Sequence, residues 1–224
     1  MKILRILSLT LSHTLILFGI CTFFGSQKVY AQLPGQWGIA VQGALSQPVG
    51  GLSDWFKPAM NYSIAAGKQY NENWFLEGLI EYGKYDEENL SGYAAGKLDL
   101  ELEYYGIVIN GRYRIFQISL FKPYLNLGGG IYSWTGIRGE VQADSTVLPY
   151  VPHIPENKRQ ETNWGFRAGI GTEILMIKSL GIDANIYYRF IVGDLFPTLQ
   201  PNIELEGVSG IQSLNYSITM RYYL

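Results

Sequence analysis

Residues 214–224 alternate with a period of two. Leu214, Tyr216, Ile218, Met220, Tyr222 and Leu224 form one set; Asn215, Ser217, Thr219, Arg221 and Tyr223 form the other. One set is apolar or aromatic throughout, and the other is polar and includes an arginine. Successive side chains of a strand point to opposite faces, so this segment is a strand between two unlike environments.

The same alternation recurs upstream in seven further segments, near 36–45, 61–70, 74–84, 104–115, 122–137, 163–175 and 182–190. Each is about as long as the ~9–11 residues that a tilted strand needs to cross a bilayer. One face holds Trp37, Ile39, Val41; Tyr62, Ile64; Trp74, Leu76, Ile80; Ile107, Ile109; Leu125, Leu127; Trp164, Phe166, Ile170; Ile182, Ile186. Lys68 interrupts this face in the second segment, at a depth where its stem can snorkel to the headgroups. In the fourth segment, apolar residues occupy even positions from Leu98 to Leu102 but odd positions from Tyr105 onward. Either a bulge near 103–105 shifts the phase, or the strand has already left the membrane and Glu101 and Glu103 meet water.

Residues 1–31 read as a cleaved signal peptide. Lys2 and Arg5 precede an apolar stretch from Ile6 to Phe24, and Val29-Tyr30-Ala31 fits a small-residue cleavage site. An uncleaved anchor is the competing reading. A lipoprotein site at Cys21 is excluded by the bulky Ile20 before it. Cys21 is the single cysteine, so residues 32–224 have neither a disulfide nor a thiolate metal site. Removing Lys2, Arg5 and Lys28 from the 17 basic residues leaves the 19 acidic residues in clear excess, which argues against nucleic acid as a partner. Past residue 31 no run approaches ~20 apolar residues, so only a closed barrel is able to cross a membrane. The 17 tyrosines suit the interface, where a ring is apolar at one end and wet at the other.

Connections alternate in length. Residues 71–73, 116–121 and 176–180 are short; 46–60, 84–99, 138–162 and 192–213 are long and rich in Gly, Pro, Asn, Asp and Ser. Short turns on one rim and long loops on the other predict an all-β, eight-stranded antiparallel up-and-down transmembrane barrel, occupying 32–224, with periplasmic turns and four extracellular loops. Within the third long loop, Pro149, Pro152 and Pro155 recur every third residue, the spacing of a short polyproline-type piece.

The stretches Lys122-Pro-Tyr-Leu-Asn-Leu-Gly-Gly-Gly-Ile-Tyr and Gly165-Phe-Arg-Ala-Gly-Ile-Gly-Thr-Glu, with the terminal strand, resemble the small eight-stranded outer-membrane barrels, the OmpA-like and opacity-porin-like transmembrane domains. The resemblance implies an outer-membrane location and a terminal assembly signal, Tyr216, Ile218, Met220, Tyr222 and Leu224, read by the barrel insertion machinery. That signal usually ends in Phe or Trp, whereas this chain ends in Leu224. No peptidoglycan-binding domain is expected after the last strand.

The faces opposite the apolar sets carry Glu77, Glu81, Glu173 and Asp183 with Arg112, Arg114, Arg167, Arg189 and Arg221. An eight-stranded barrel encloses little more than its own side chains, so these charges are expected to pair as a lumenal network, with guanidinium forks gripping carboxylates bidentately. A narrow or gated ion path through the same network is the sharper alternative. Glycosidase work by Glu77 and Glu81 is disfavoured, because the arginines hold both ionised. His153, with Asp144 and Ser145 in the same loop, is the thin basis for a lipid-modifying enzyme. Gly128-Gly129-Gly130 lies within a strand, where it relieves crowding or bends the sheet. The expected role is therefore non-enzymatic: a monomeric barrel in outer-membrane lipid, without cofactor or metal, that presents its loops to an unspecified extracellular ligand. A soluble lipocalin-like barrel is disfavoured, because it would reverse the facing.

Overall fold

The computed structural model describes residues 34–89, 99–118, 121–140, 142, 153, 155–195 and 208–224. The expected signal segment, Asp144, Ser145 and all of 149–155 but His153 and Pro155 lie outside the described residues. Eight antiparallel strands close into one barrel in sequence order: β1 (Trp37–Pro48), β2 (Ala59–Gln69), β3 (Trp74–Tyr85), β4 (Leu100–Arg114), β5 (Phe121–Arg138), β6 (Asn157–Ile177), β7 (Leu180–Leu195) and β8 (Val208–Tyr223). Closure comes from β8 against β1, in unbroken register from Gly38↔Tyr223 to Pro48↔Ser213. The Leu224 amide donates to the Trp37 carbonyl at 2.9 Å. Every strand thus has two neighbours, as lipid requires where no water is present to take an orphaned backbone group.

Facing follows the parity of the sequence. Ile107, Leu127 and Ile218 are 70%, 68% and 68% exposed on the outer wall. Such exposure over the whole circumference is stable only against hydrocarbon. Two aromatic levels bound this wall. Trp74 packs on its cross-strand partner Tyr113 with ring centroids 5.1 Å apart, and Tyr82 packs on Tyr105 at 5.0 Å. A strand rising ~3.3 Å per residue at ~40° tilt climbs about 20 Å between them, close to the ~25 Å apolar band of such barrels.

β4 carries no bulge. It stays in register with β3 from Leu102 to Tyr113 and with β5 from Leu100 to Arg114. The change in its pattern is a change of solvent. Leu100, Leu102 and Tyr104 point inward and are buried, while Glu101 and Glu103 point outward above the membrane. There Glu101 meets Lys84 at 3.0 Å, and Glu103 accepts a hydrogen bond from the Tyr105 hydroxyl. The strands continue as a crown with a soluble protein's polarity, apolar inside and polar outside.

This crown corrects the expected loop boundaries. Residues 157–162, 192–195 and 208–213, read as loop, are strand. Reversed facing hid 192–195 and 208–213 from a pattern that expects apolar residues outward, and 157–162, polar on both faces, show no alternation at all. The β1–β2 connection is also more than a loop. It turns at Gly50, whose φ of 61° is the left-handed region that favours glycine, and forms a short helix, α1 (Leu52–Trp55). Leu52, Trp55 and Phe56 drop into the mouth and are at most 2% exposed, packed with Tyr85, Leu102, Trp134, Ile191 and Ile211.

Inside the barrel, tyrosines lie across glycines directly opposite them: Tyr104 over Gly83, Tyr132 over Gly106, Tyr124 over Gly171 and Tyr187 over Gly169. A Cβ on any of these glycines would collide with the ring or its Cβ. In the Gly128-Gly129-Gly130 run, a Cβ on Gly130 would strike the Ile107 carbonyl, so that glycine permits close backbone approach.

Closure predicts heat-modifiable migration, with unboiled protein running differently from boiled protein in detergent gels. Identical mobility would contradict a closed ring. On the same gels and in urea titrations from vesicles, Ile218→Arg should cost about 2–4 kcal/mol, because the side chain faces mid-bilayer lipid. An unchanged midpoint would mean that the facing is inverted.

Candidate functional site: a braced and capped lumen

The inner wall brings together the nine charged residues expected there. They form three levels. Nearest the crown, Glu81 accepts from Arg167 and from the Tyr132 hydroxyl (3.0 Å), and Arg189 approaches it at 3.8 Å. Arg189 also donates to Ser213 Oγ at 3.0 Å and Ser46 Oγ at 3.3 Å. At the middle level Glu77 meets Arg221 at 2.7 Å and accepts from Asn110 at 2.9 Å. Asp183 accepts from Arg112 at 2.6 Å and from the Tyr124 hydroxyl, with Arg221 at 3.9 Å. At the periplasmic end Glu173 accepts from the Tyr223 hydroxyl and faces Lys122 across the β5–β6 pair.

Arg114, the last residue of β4 and half-buried, belongs to this periplasmic level: it lines the same small cavity as Lys122, Glu173 and Tyr223, and its Nη1 donates to the Glu72 carbonyl of the β2–β3 turn at 2.6 Å. Arg112, Arg167 and Arg221 do not grip their carboxylates as bidentate forks. Arg112 and Arg221 each present one nitrogen to a carboxylate, and their guanidinium faces lie on rings instead: Arg112 on Tyr124 at 3.9 Å and Arg221 on Phe75 at 4.6 Å. Arg167 stacks on Tyr187 at 3.7 Å and Arg189 on Tyr104 at 4.3 Å. Stacking claims the plane of the fork, and in a desolvated lumen each such contact is worth up to ~2 kcal/mol.

The register shows why the pairing spans the barrel. On β6 and β7, Arg167 lies directly opposite Arg189, and Glu173 directly opposite Asp183. Like charges in these positions repel. Relief comes from other strands: Glu81 of β3 reaches both arginines, and Arg112 of β4 and Arg221 of β8 reach Asp183. The ion pairs therefore tie non-adjacent walls together.

Sequence reasoning missed Lys122, 1% exposed at the start of β5, and the tyrosine layer on which the arginines rest. Lys122 shares parity with the inward Tyr124 and Asn126, so the signal was present. The five residues of the expected assembly signal lie on the outer face of β8, with Leu224 just beyond its end. His153 is exposed and its Nε2 lies 2.7 Å from Glu140 Oε1. That hydrogen bond holds the Glu140 carboxyl below the usual carboxylate range.

The network, the apolar plug above it and Phe75, Leu175 and Tyr223 below it leave lumenal cavities of only about 10 and 20 Å³. Each is about the size of one water. The chain matches, over residues 17–202, the family described as outer membrane protein beta-barrel domain. It belongs to that family. Among solved structures, Neisserial surface protein A (NspA) superposes with a TM-score of 0.53 at 17% identity, covering 83% of this chain and 96% of its own. OprG from Pseudomonas aeruginosa gives 0.52 at 11% identity, covering 88% and 99%. A major outer membrane protein from Thermus thermophilus gives 0.52 at 8%, covering 84% and 99%. At these identities the likeness concerns the fold. No curated protein matches the chain.

Glu81→Gln should destabilise the barrel by about 3–5 kcal/mol, because it strands two arginines that already face one another. Urea unfolding from vesicles measures this. A loss below ~1 kcal/mol would mean that the upper level does not brace the wall.

Proposed function

We propose that this outer-membrane barrel is a closed, non-conducting, non-enzymatic anchor that presents its crown and the connecting loops at the cell surface. The observation that supports this reading is the occupied lumen: three levels of charged side chains beneath an apolar plug, with cavities of about 10 and 20 Å³ between the described residues of the network. A rigid scaffold of this kind holds binding loops in a fixed relation to the membrane. The barrel works as a monomer, delivered by the insertion machinery through the outer face of β8, and its loops engage an extracellular ligand.

Conductance decides between an anchor and a channel. Purified protein in planar bilayers should give no sustained openings at moderate voltage. Large, stable openings would overturn the anchor reading and establish a porin-like path instead.

A further inference from the structure

The outer wall is uniformly apolar between its aromatic levels, with one departure. Lys68, near the periplasmic end of β2, points outward from the membrane section. Among the described residues it is the one charged side chain on the lipid-facing wall at the periplasmic level. No described carboxylate pairs with it; its ammonium lies 5.6 Å above the ring of Trp37, its partner across the β1–β2 pair. A cation at this depth snorkels toward the headgroups and needs an anion there.

Directly above it the wall is hollow. A groove of about 630 Å³ is floored by Ala66 and Gly78, paired across β2 and β3, and walled by Ile39, Ile64, Ile80 and Met220. Ala66 is two residues from Lys68 on the same face of β2, so the floor of the groove begins at the outward position next to the lysine. An added Cβ at Gly78 would meet nothing within 4 Å. The barrel's own packing therefore does not demand glycine at this position, although glycine weakens a strand. What glycine provides there is depth on the outside of the wall.

We infer that this face is a specific site for one anionic glycerophospholipid of the periplasmic leaflet: Lys68 takes the phosphate and the groove over Ala66 and Gly78 takes an acyl chain. Lys68 lies on the rim of the short turns, which selects the periplasmic leaflet, and its unpaired charge selects an anionic headgroup over a zwitterionic one. A second groove, of about 590 Å³, runs over Ile170, Ala184 and Ile218 on the opposite wall. The cation nearest its periplasmic end, Lys178 of the β6–β7 turn, lies beyond the strands and already has a partner, so this groove serves as the internal control.

The test is native mass spectrometry of full-length protein released by mild detergent from vesicles of phosphatidylethanolamine with a minor share of phosphatidylglycerol. Wild type should retain one phosphatidylglycerol, enriched about fivefold over its share in the vesicle, the effect of one lysine at a membrane surface. Lys68→Gln should abolish the enrichment and Lys68→Arg should keep it. Gly78→Leu should abolish retention, and Ala184→Leu should change neither. If Gly78→Leu does not migrate as folded protein, Ala66→Ile fills the same floor. Equal retention of both lipids, enrichment that survives Lys68→Gln, or a dimer mass that Gly78→Leu removes would each overturn the assignment, the last in favour of a second copy of this chain.

Discussion

Eight strands close around a space with room for little beyond their own side chains, so the charges carried inward are compensated mainly by one another. That constraint organises the structure. β6 and β7 place like charges directly opposite one another, Arg167 by Arg189 and Glu173 by Asp183. An open sheet with this register would repel itself. The barrel form removes the repulsion by bringing Glu81 and Arg112 from non-adjacent strands, and Arg221 from the neighbouring β8, to the same points. Closing the ring and neutralising the lumen are thus one event. Part of the compensation is not ionic: the arginines rest on Tyr104, Tyr124, Tyr187 and Phe75, and those rings fit because several lie over glycine on the neighbouring strand. Space, ring and charge are coupled in each layer.

A second organising fact is that the chain meets two solvents along the same strands. Between the aromatic levels the wall is apolar outside and polar inside. Above Tyr82 and Tyr105 both preferences reverse, and β4 to β8 run on as a crown with an apolar interior. The backbone passes through this change without a bulge in β4. Polarity is therefore carried by side chains alone, and the hydrogen-bonded ladder stays continuous from the periplasmic rim into the crown. The plug from α1 belongs to the upper regime: Leu52, Trp55 and Phe56 close the mouth by ordinary apolar packing. A lumen braced by charge below and sealed by hydrocarbon above holds the crown stiffly, as the proposed role of presenting surface loops requires.

How much of this was legible in the chain depends on which physical rule each feature obeys. Parity is local, so the eight strands, their facing through the membrane and the inward acids and bases could be read from alternation alone, and Lys68 stood out as an exception to it. The short turns and their rim were equally local: the Asn71 side chain accepts from the amides of Asn73 and Trp74, a turn that its own residues specify. The crown was not legible, because a rule written for one solvent fails where the solvent changes. Residues 98–105 showed the conflict without its cause. Tertiary structure alone decided which charge meets which: partners such as Glu81 and Arg167 are far apart in sequence and on non-adjacent strands, and barrel closure sets their distance. The same holds for the monodentate pairs imposed by stacked rings and for the groove beside Lys68, whose floor forms only when β2 and β3 pair in register. The sequence by itself determined a wall with two faces; the closed ring determined what each face touches, because side-chain direction is a property of the residue and its position whereas a contact is a property of the distances that closure fixes.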